Sequence, residues 1–138
     1  MKKLFLILSL VLTFAFMIGC EDDDDPTFEI RFYNDCGFSL SGAKIGDYQQ
    51  VPLDTGYTSY HDVSEGTQHY YLLKSDGTWT DMGSVTGAEG AKGTIRFYVV
   101  GTSVTSQVID DSKSTRSDVQ LVTNKDSQIS VSLYEVAD

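Results

Sequence analysis

Thr27–Tyr33 reads TFEIRFY and Lys92–Val100 reads KGTIRFYVV. In the first stretch Phe28, Ile30 and Phe32 alternate with Glu29, Arg31 and Tyr33; in the second Ile95, Phe97 and Val99 occupy every other place. Successive side chains of an extended chain point to opposite faces. This period of two therefore predicts strands with one face on a core and one in water. QISVSLYEV near the end repeats the pattern, setting Ile129, Val131 and Leu133 against Ser130, Ser132 and Tyr134. From Thr27 onward no stretch keeps a helical period for three turns. The tetrad IRFY occurs twice, at Ile30–Tyr33 and Ile95–Tyr98, but the flanks disagree. The match reads as shared strand grammar and not as an internal duplication, and it leaves open that the two strands serve similar places in the sandwich.

FSLSGAKI, YQQV, YTSYHDV, QHYYLLK, TWTDMGSV, SVTSQVI and VQLVT lie between these strands, separated by turn residues such as Asn34-Asp35, Gly46-Asp47, Glu65-Gly66 and Asp76-Gly77. Asp76-Gly77 predicts a hairpin between QHYYLLKS and TWTDM, and VQLVT–NKDS–QISVSLY predicts a second. Gly42 inside a strand predicts a bulge or a close backbone approach. The segments 86–92 (TGAEGAK) and 110–117 (DDSKSTRS) read as polar loops. About eight to ten short strands at this spacing predict an all-β, antiparallel two-sheet sandwich of the immunoglobulin-like or transthyretin-like kind, ahead of a barrel.

The amino end has a different grammar. Lys2 and Lys3 precede an apolar run, LFLILSLVLTFAFMIG, of 16 residues. That is shorter than the ~20 residues a spanning helix needs, so the run reads as an export leader and not as part of the fold. The leader ends in Met17, Ile18, Gly19 and Cys20, which resembles the lipobox of bacterial lipoproteins. By that resemblance Cys20 becomes the first mature residue and carries the acyl chains, which contribute ~0.8 kcal/mol per buried methylene. Glu21, Asp22, Asp23, Asp24 and Asp25 follow, and then Pro26. Five adjacent carboxylates repel one another and stay solvated, keeping the segment extended as a spacer of at most ~20 Å. A cysteine followed at once by acidic residues also resembles the surface-export signal of Bacteroidota-type lipoproteins. The resemblance implies a Gram-negative outer membrane and outward exposure. The expected organisation is a leader (1–19), a lipidated acidic tether (20–26) and a sandwich domain (27–138).

The chain carries a net charge of −10, which becomes −12 once Lys2 and Lys3 leave with the leader and about −7 for the domain without its tether. An acidic domain repels phosphate backbones, so nucleic acid is not an expected partner. With Cys20 acylated, Cys36 has no intrachain partner, and it reads as a small packed side chain, not a nucleophile.

Leu53, Gly56, Thr58, Tyr60, Val63 and Gly66 form a spaced series within VPLDTGYTSYHDVSEG. The series resembles a family of small bacterial β-sandwich domains of unknown function found in secreted and surface proteins. That resemblance implies a fold and a location, and it transfers no catalytic residue.

Candidate chemistry is sparse. His61 and His69 lie eight apart with Asp62 and Glu65 between them, and a hairpin could gather two imidazoles and a carboxylate round zinc. No third histidine or cysteine supports them, so no metal is expected. The serines form no GxSxG elbow, and TGAEGAKGT precedes a strand where a phosphate loop would open a helix. Asp47, Asp54, Asp62 and Glu65 sit at turns, and Asp110-Asp111 lacks the spacing of a calcium loop. Neither an enzyme nor a cofactor is expected. Aromatic residues are dense, and Trp79, Tyr70 and Tyr71 are the candidate ligand-binding set. Such rings stack on sugars and dominate protein contact sites. The expected role is a non-catalytic binding or accessory module touching surface proteins or glycans. The alternative is a carbohydrate-binding lipoprotein.

Overall fold

The computed structural model describes residues 25–112, 122–123 and 129–138. It is nearly all β, with two facing sheets, as the alternation predicts. β1 (Thr27–Asp35) is the organising strand of the first sheet. Phe28, Ile30 and Phe32 point into the core with no exposed surface. On one flank β1 pairs antiparallel with β4 (Gly56–Tyr57) and β5 (His61–Ser64). On the other flank lies β8 (Lys92–Val100), followed by β9 (Ser103–Asp110) and β11 (Val131–Ser132). The second sheet runs β10 (Val122–Thr123), β7 (Trp79–Gly87), β6 (Gly66–Leu73), β2 (Ala43–Ile45), β3 (Tyr48–Gln50).

YTSYHDV is not one strand. It breaks between β4 and β5, and Thr58 bridges the break: its amide donates to Phe32 O and its hydroxyl accepts from Phe32 N, both at 2.9 Å. Backbone groups of β1 thus stay satisfied where the neighbouring strand is interrupted.

Among the described residues one strand pair departs from the antiparallel pattern. β1 and β8 run parallel, in register from Glu29 opposite Lys92 to Asp35 opposite Tyr98. Alternation reports which face a residue occupies but not the direction of its neighbour. Parallel pairing becomes possible because the chain crosses to the second sheet and back between the two strands. This pair also explains the repeated tetrad. The two IRFY copies lie side by side, offset by two residues, with Phe32 opposite Ile95 and Tyr33 opposite Arg96. Both send isoleucine and phenylalanine inward and arginine and tyrosine outward.

The Asp76-Gly77 hairpin forms as expected. Lys74 N donates to Thr78 O at 2.7 Å, Asp76 Oδ1 accepts from Thr78, and Gly77 takes φ +89°. The second expected hairpin does not form: Val122–Thr123 pairs with β7 in one sheet and Val131–Ser132 with β9 in the other. QISVSLYEV is also extended only briefly. After Ser132 the chain makes one helical turn, α1 (Leu133–Val136), which buries Val136 completely and leaves Tyr134 76% exposed. TGAEGAK is shorter as a loop than expected, because β7 continues through Gly87 and only Ala88–Ala91 turn before β8. Of the segment 110–117, residues beyond 112 lie outside the described ones.

Two glycines have steric reasons. A Cβ on Gly42 would stand 2.7 Å from Val51 Cγ2, the close approach expected there. A Cβ on Gly87 would stand 2.6 Å from two ring carbons of Phe28, so the ring packs directly on the β7 backbone.

The two ends of the sandwich differ. At the end where β1 begins Pro26 O accepts from Glu65 N at 3.1 Å and Thr27 O from Gly90 N at 3.3 Å. At the far end the Lys74–Thr78 turn meets α1 through Ser75 N to Glu135 O (2.6 Å). α1 in turn meets the β8–β9 turn through Leu133 N to Thr102 O (3.0 Å).

Candidate functional site

Polar and aromatic side chains collect on the outer face of the first sheet, along β1. Arg31 and Tyr33 point outward two residues apart, leaving a gap that Tyr57 of β4 fills. Tyr57 stacks on Tyr33 with centroids 4.0 Å apart and planes within 6°. The Arg31 guanidinium lies 4.2 Å from the Tyr57 ring and 4.7 Å from that of Tyr60, and Lys92 Nζ lies 4.0 Å from Tyr60. The result is one row: Tyr33, Tyr57, Arg31, Tyr60, Lys92. Each cation meets the negative face of a ring, worth about 0.5–1 kcal/mol at an exposed site. The row also fastens the Gly56–Tyr60 crossing to β1.

Hydrogen bonds fix its members. Arg31 Nε donates to Thr94 Oγ1 at 2.9 Å, Thr94 donates onward to Asp111 Oδ2, and Tyr60 donates to the same carboxylate oxygen at 2.9 Å. Burial raises the Tyr60 pKa, and the bond to Asp111 raises it further. Beside the row, Arg96 donates from Nε and Nη2 to Asp35 Oδ2 at 2.9 and 2.6 Å. That guanidinium holds the Asp35 carboxyl below the ordinary range. Three of the five described cations (Arg31, Lys92 and Arg96) therefore share one face of an acidic domain.

The expected aromatic set divides. Tyr70 is a core residue, 5% exposed, and its hydroxyl is 2.8 Å from Ser106 Oγ across the interior. This corrects its place in the candidate ligand set. Adjacent strand residues face opposite ways, and Tyr71, next along β6, stays on the outer face of the second sheet. Tyr71 and Trp79 there flank Lys44, whose Nζ lies 5.1 and 4.5 Å from their rings. Both rings are half-buried. Cys20 and Glu21–Asp24 lie outside the described residues, and Asp25 is exposed.

His61 and His69 fall in different sheets. His61 stacks on Tyr48 at 3.8 Å, and His69 Nδ1 lies 2.9 Å from Asp81 Oδ2. Two shallow polar clefts of about 380 and 310 Å³ open beside β3 and β5 and share Asp47 and Asp62. Cys36 is half-buried, and its thiol points at Phe97 O, 3.5 Å away. Burial, reinforced by the Asp35 charge, pushes its pKa up to about 11. At pH 7.5 the reactive thiolate is then scarce. Native protein is expected to react with a maleimide at least tenfold more slowly than protein in urea, and equal rates would mean the thiol is exposed.

The row along β1 was missed in the sequence because its members are distant in the chain. The one available signal was the double IRFY, which places arginine and tyrosine outward twice. No known protein family, curated protein or solved structure matches the chain.

Proposed function

We propose that the protein is a lipid-anchored outer-membrane lipoprotein exposed at the cell surface, whose sandwich is a non-catalytic binding or accessory module. The anchor reading rests on the basic, apolar, Cys20 order of the leader and on the five carboxylates after it. β1 begins at Thr27, directly after the tether, and its other end lies at the opposite pole with the β8–β9 turn. A tether of ~20 Å would hold the first pole near the headgroups and leave the sheet faces in water. The observation that carries the binding role is the outward, half-buried row of stacked tyrosines and cations along β1, with Tyr57 exposed at its centre, a surface rich in the residue types that dominate contact sites. The second reading places carbohydrate binding on the other sheet, at the outward pair Trp79 and Tyr71 beside Lys44.

Cells fed a palmitate analogue test the anchor. The wild-type chain is expected to incorporate label, and Cys20→Ser to lose essentially all of it. Replacing Glu21–Asp25 with serine is expected to keep the label while sharply reducing cleavage by protease added to intact cells. Labelled Cys20→Ser protein would overturn the anchor, and unchanged cleavage would overturn the export role of the carboxylates.

A further inference from the structure

We propose that Arg31, held between Tyr57 and Tyr60, is the recognition point for a carboxylate-bearing sugar, a uronate unit of an acidic polysaccharide. The inference deepens the binding role above by naming a ligand class, and it uses nothing of the anchor.

The comparison that carries it lies within the protein. Arg31 and Arg96 occupy the same place in the two IRFY copies, on neighbouring strands of one face. Arg96 is consumed: Nε and Nη2 bond Asp35, and Nη1 donates to Gln107 at 3.3 Å. Arg31 is oriented but not consumed. Its Nε is fixed by Thr94 and its plane by two tyrosine rings, while among the described residues neither terminal nitrogen has an acceptor and no carboxylate lies within 4.0 Å. A planar guanidinium with two free amino groups matches a carboxylate bidentately, and a fixed one loses little entropy on binding.

The surroundings select among anions. Asp111, reached through Thr94, takes bonds from Thr94 and Tyr60 through Oδ2, and among the described residues Oδ1 has no side-chain donor. It disfavours a dense polyanion nearby and offers an acceptor to hydroxyl groups. A single negative charge on a ring rich in hydroxyls fits this arrangement better than a phosphate chain. A peptide could not add as a strand to β1, which has strands on both sides. The face is open, with Tyr57 58% exposed, as an extended polymer requires.

Glucuronosyl-xylotriose, a tetrasaccharide with a single carboxylate, titrated into the detergent-solubilised full chain tests the proposal, read by calorimetry and by NMR shifts. Saturable binding is expected. Its methyl ester, which keeps the hydroxyls and loses the charge, should bind at least about tenfold more weakly, as should Arg31→Gln. Arg31→Lys keeps a cation over the rings but loses the fork, and should weaken binding about fivefold. It also carries the test if Arg31→Gln fails to fold, judged by thermal melting. Absence of binding up to about 10 mM overturns the proposal, as does equal affinity for acid and ester or for wild type and both variants. Tetraglutamate binding as tightly as the uronate would transfer the site to acidic peptides and overturn it as well. Failure on any of these grounds leaves palmitate labelling of Cys20 untouched, so the two readings fail separately.

Discussion

Phe32→Ala is expected to lower the free energy of unfolding by about 4 kcal/mol, the middle of the range for truncating a buried phenylalanine. Phe32 has no exposed surface, and its ring sits between the two sheets. It stacks on Tyr48 of β3 at 5.1 Å and meets Phe97 of β8 at 5.9 Å. Removing it takes away apolar burial and leaves a void that two aromatic neighbours on rigid strands cannot collapse to fill. A domain of this size is typically stable by only about 5–15 kcal/mol, so the variant should melt far below wild type. Phe32→Leu should lose about 1.5 kcal/mol, because it preserves most of the volume. Urea titration decides: a loss below about 1 kcal/mol for the alanine variant would mean that the ring is not in a dry, packed interior.

Asn34→Leu should cost about 3 kcal/mol, although it replaces a polar side chain with an apolar one of similar size. Asn34 is 2% exposed and fully engaged. Its amide nitrogen donates to Phe38 O and Leu53 O, both at 2.9 Å, and its Oδ1 accepts from Cys36 N at 3.0 Å. One side chain thereby ties the end of β1 to the turn after it and to the segment before β4. Leucine leaves the Phe38 carbonyl and the Cys36 amide without these partners and takes one of two donors from Leu53 O, which keeps Leu40 N, and unmet polar groups cost more than the added apolar contact returns. Asn34→Asp should be worse near neutral pH, since a carboxylate would face two carbonyl oxygens. Urea titration measures both, and hydrogen exchange at the Cys36 amide should accelerate in the leucine variant. An unchanged exchange rate would mean that Asn34 does not hold the turn.

The two residues differ in how legible they were. Phe32 was readable from TFEIRFY because alternation is a local property, set by the pleat of one strand. Asn34 read only as a turn residue, which its bond from Cys36 N two positions on accounts for, while the carbonyls it donates to lie four and nineteen positions away and nothing local announces them. Tyr70 and Tyr71 make the same point at one site. Adjacency predicted opposite faces, but which tyrosine enters the core depended on the register of β6 against β7, which shifts between those two residues. The carboxyl-terminal segment failed for a related reason. Ile129, Val131 and Leu133 keep a strand's period, yet the helical turn after Ser132 places Val136 beneath Ser41, whose amide donates to Val136 O at 2.8 Å. A period of two over so few residues does not exclude a turn when tertiary contacts favour one.

By itself the sequence determined the all-β class, the inward faces of β1 and β8, the Asp76-Gly77 hairpin and the close approach at Gly42, because pleat and turn chemistry act within a few residues. Only the tertiary structure decided that β1 and β8 run side by side in parallel, that Tyr57 enters the gap between Arg31 and Tyr33, and that Arg96 finds Asp35 while Arg31 finds no carboxylate among the described residues. Those outcomes depend on which distant strands become neighbours and in what register, a choice made by burial of the whole core.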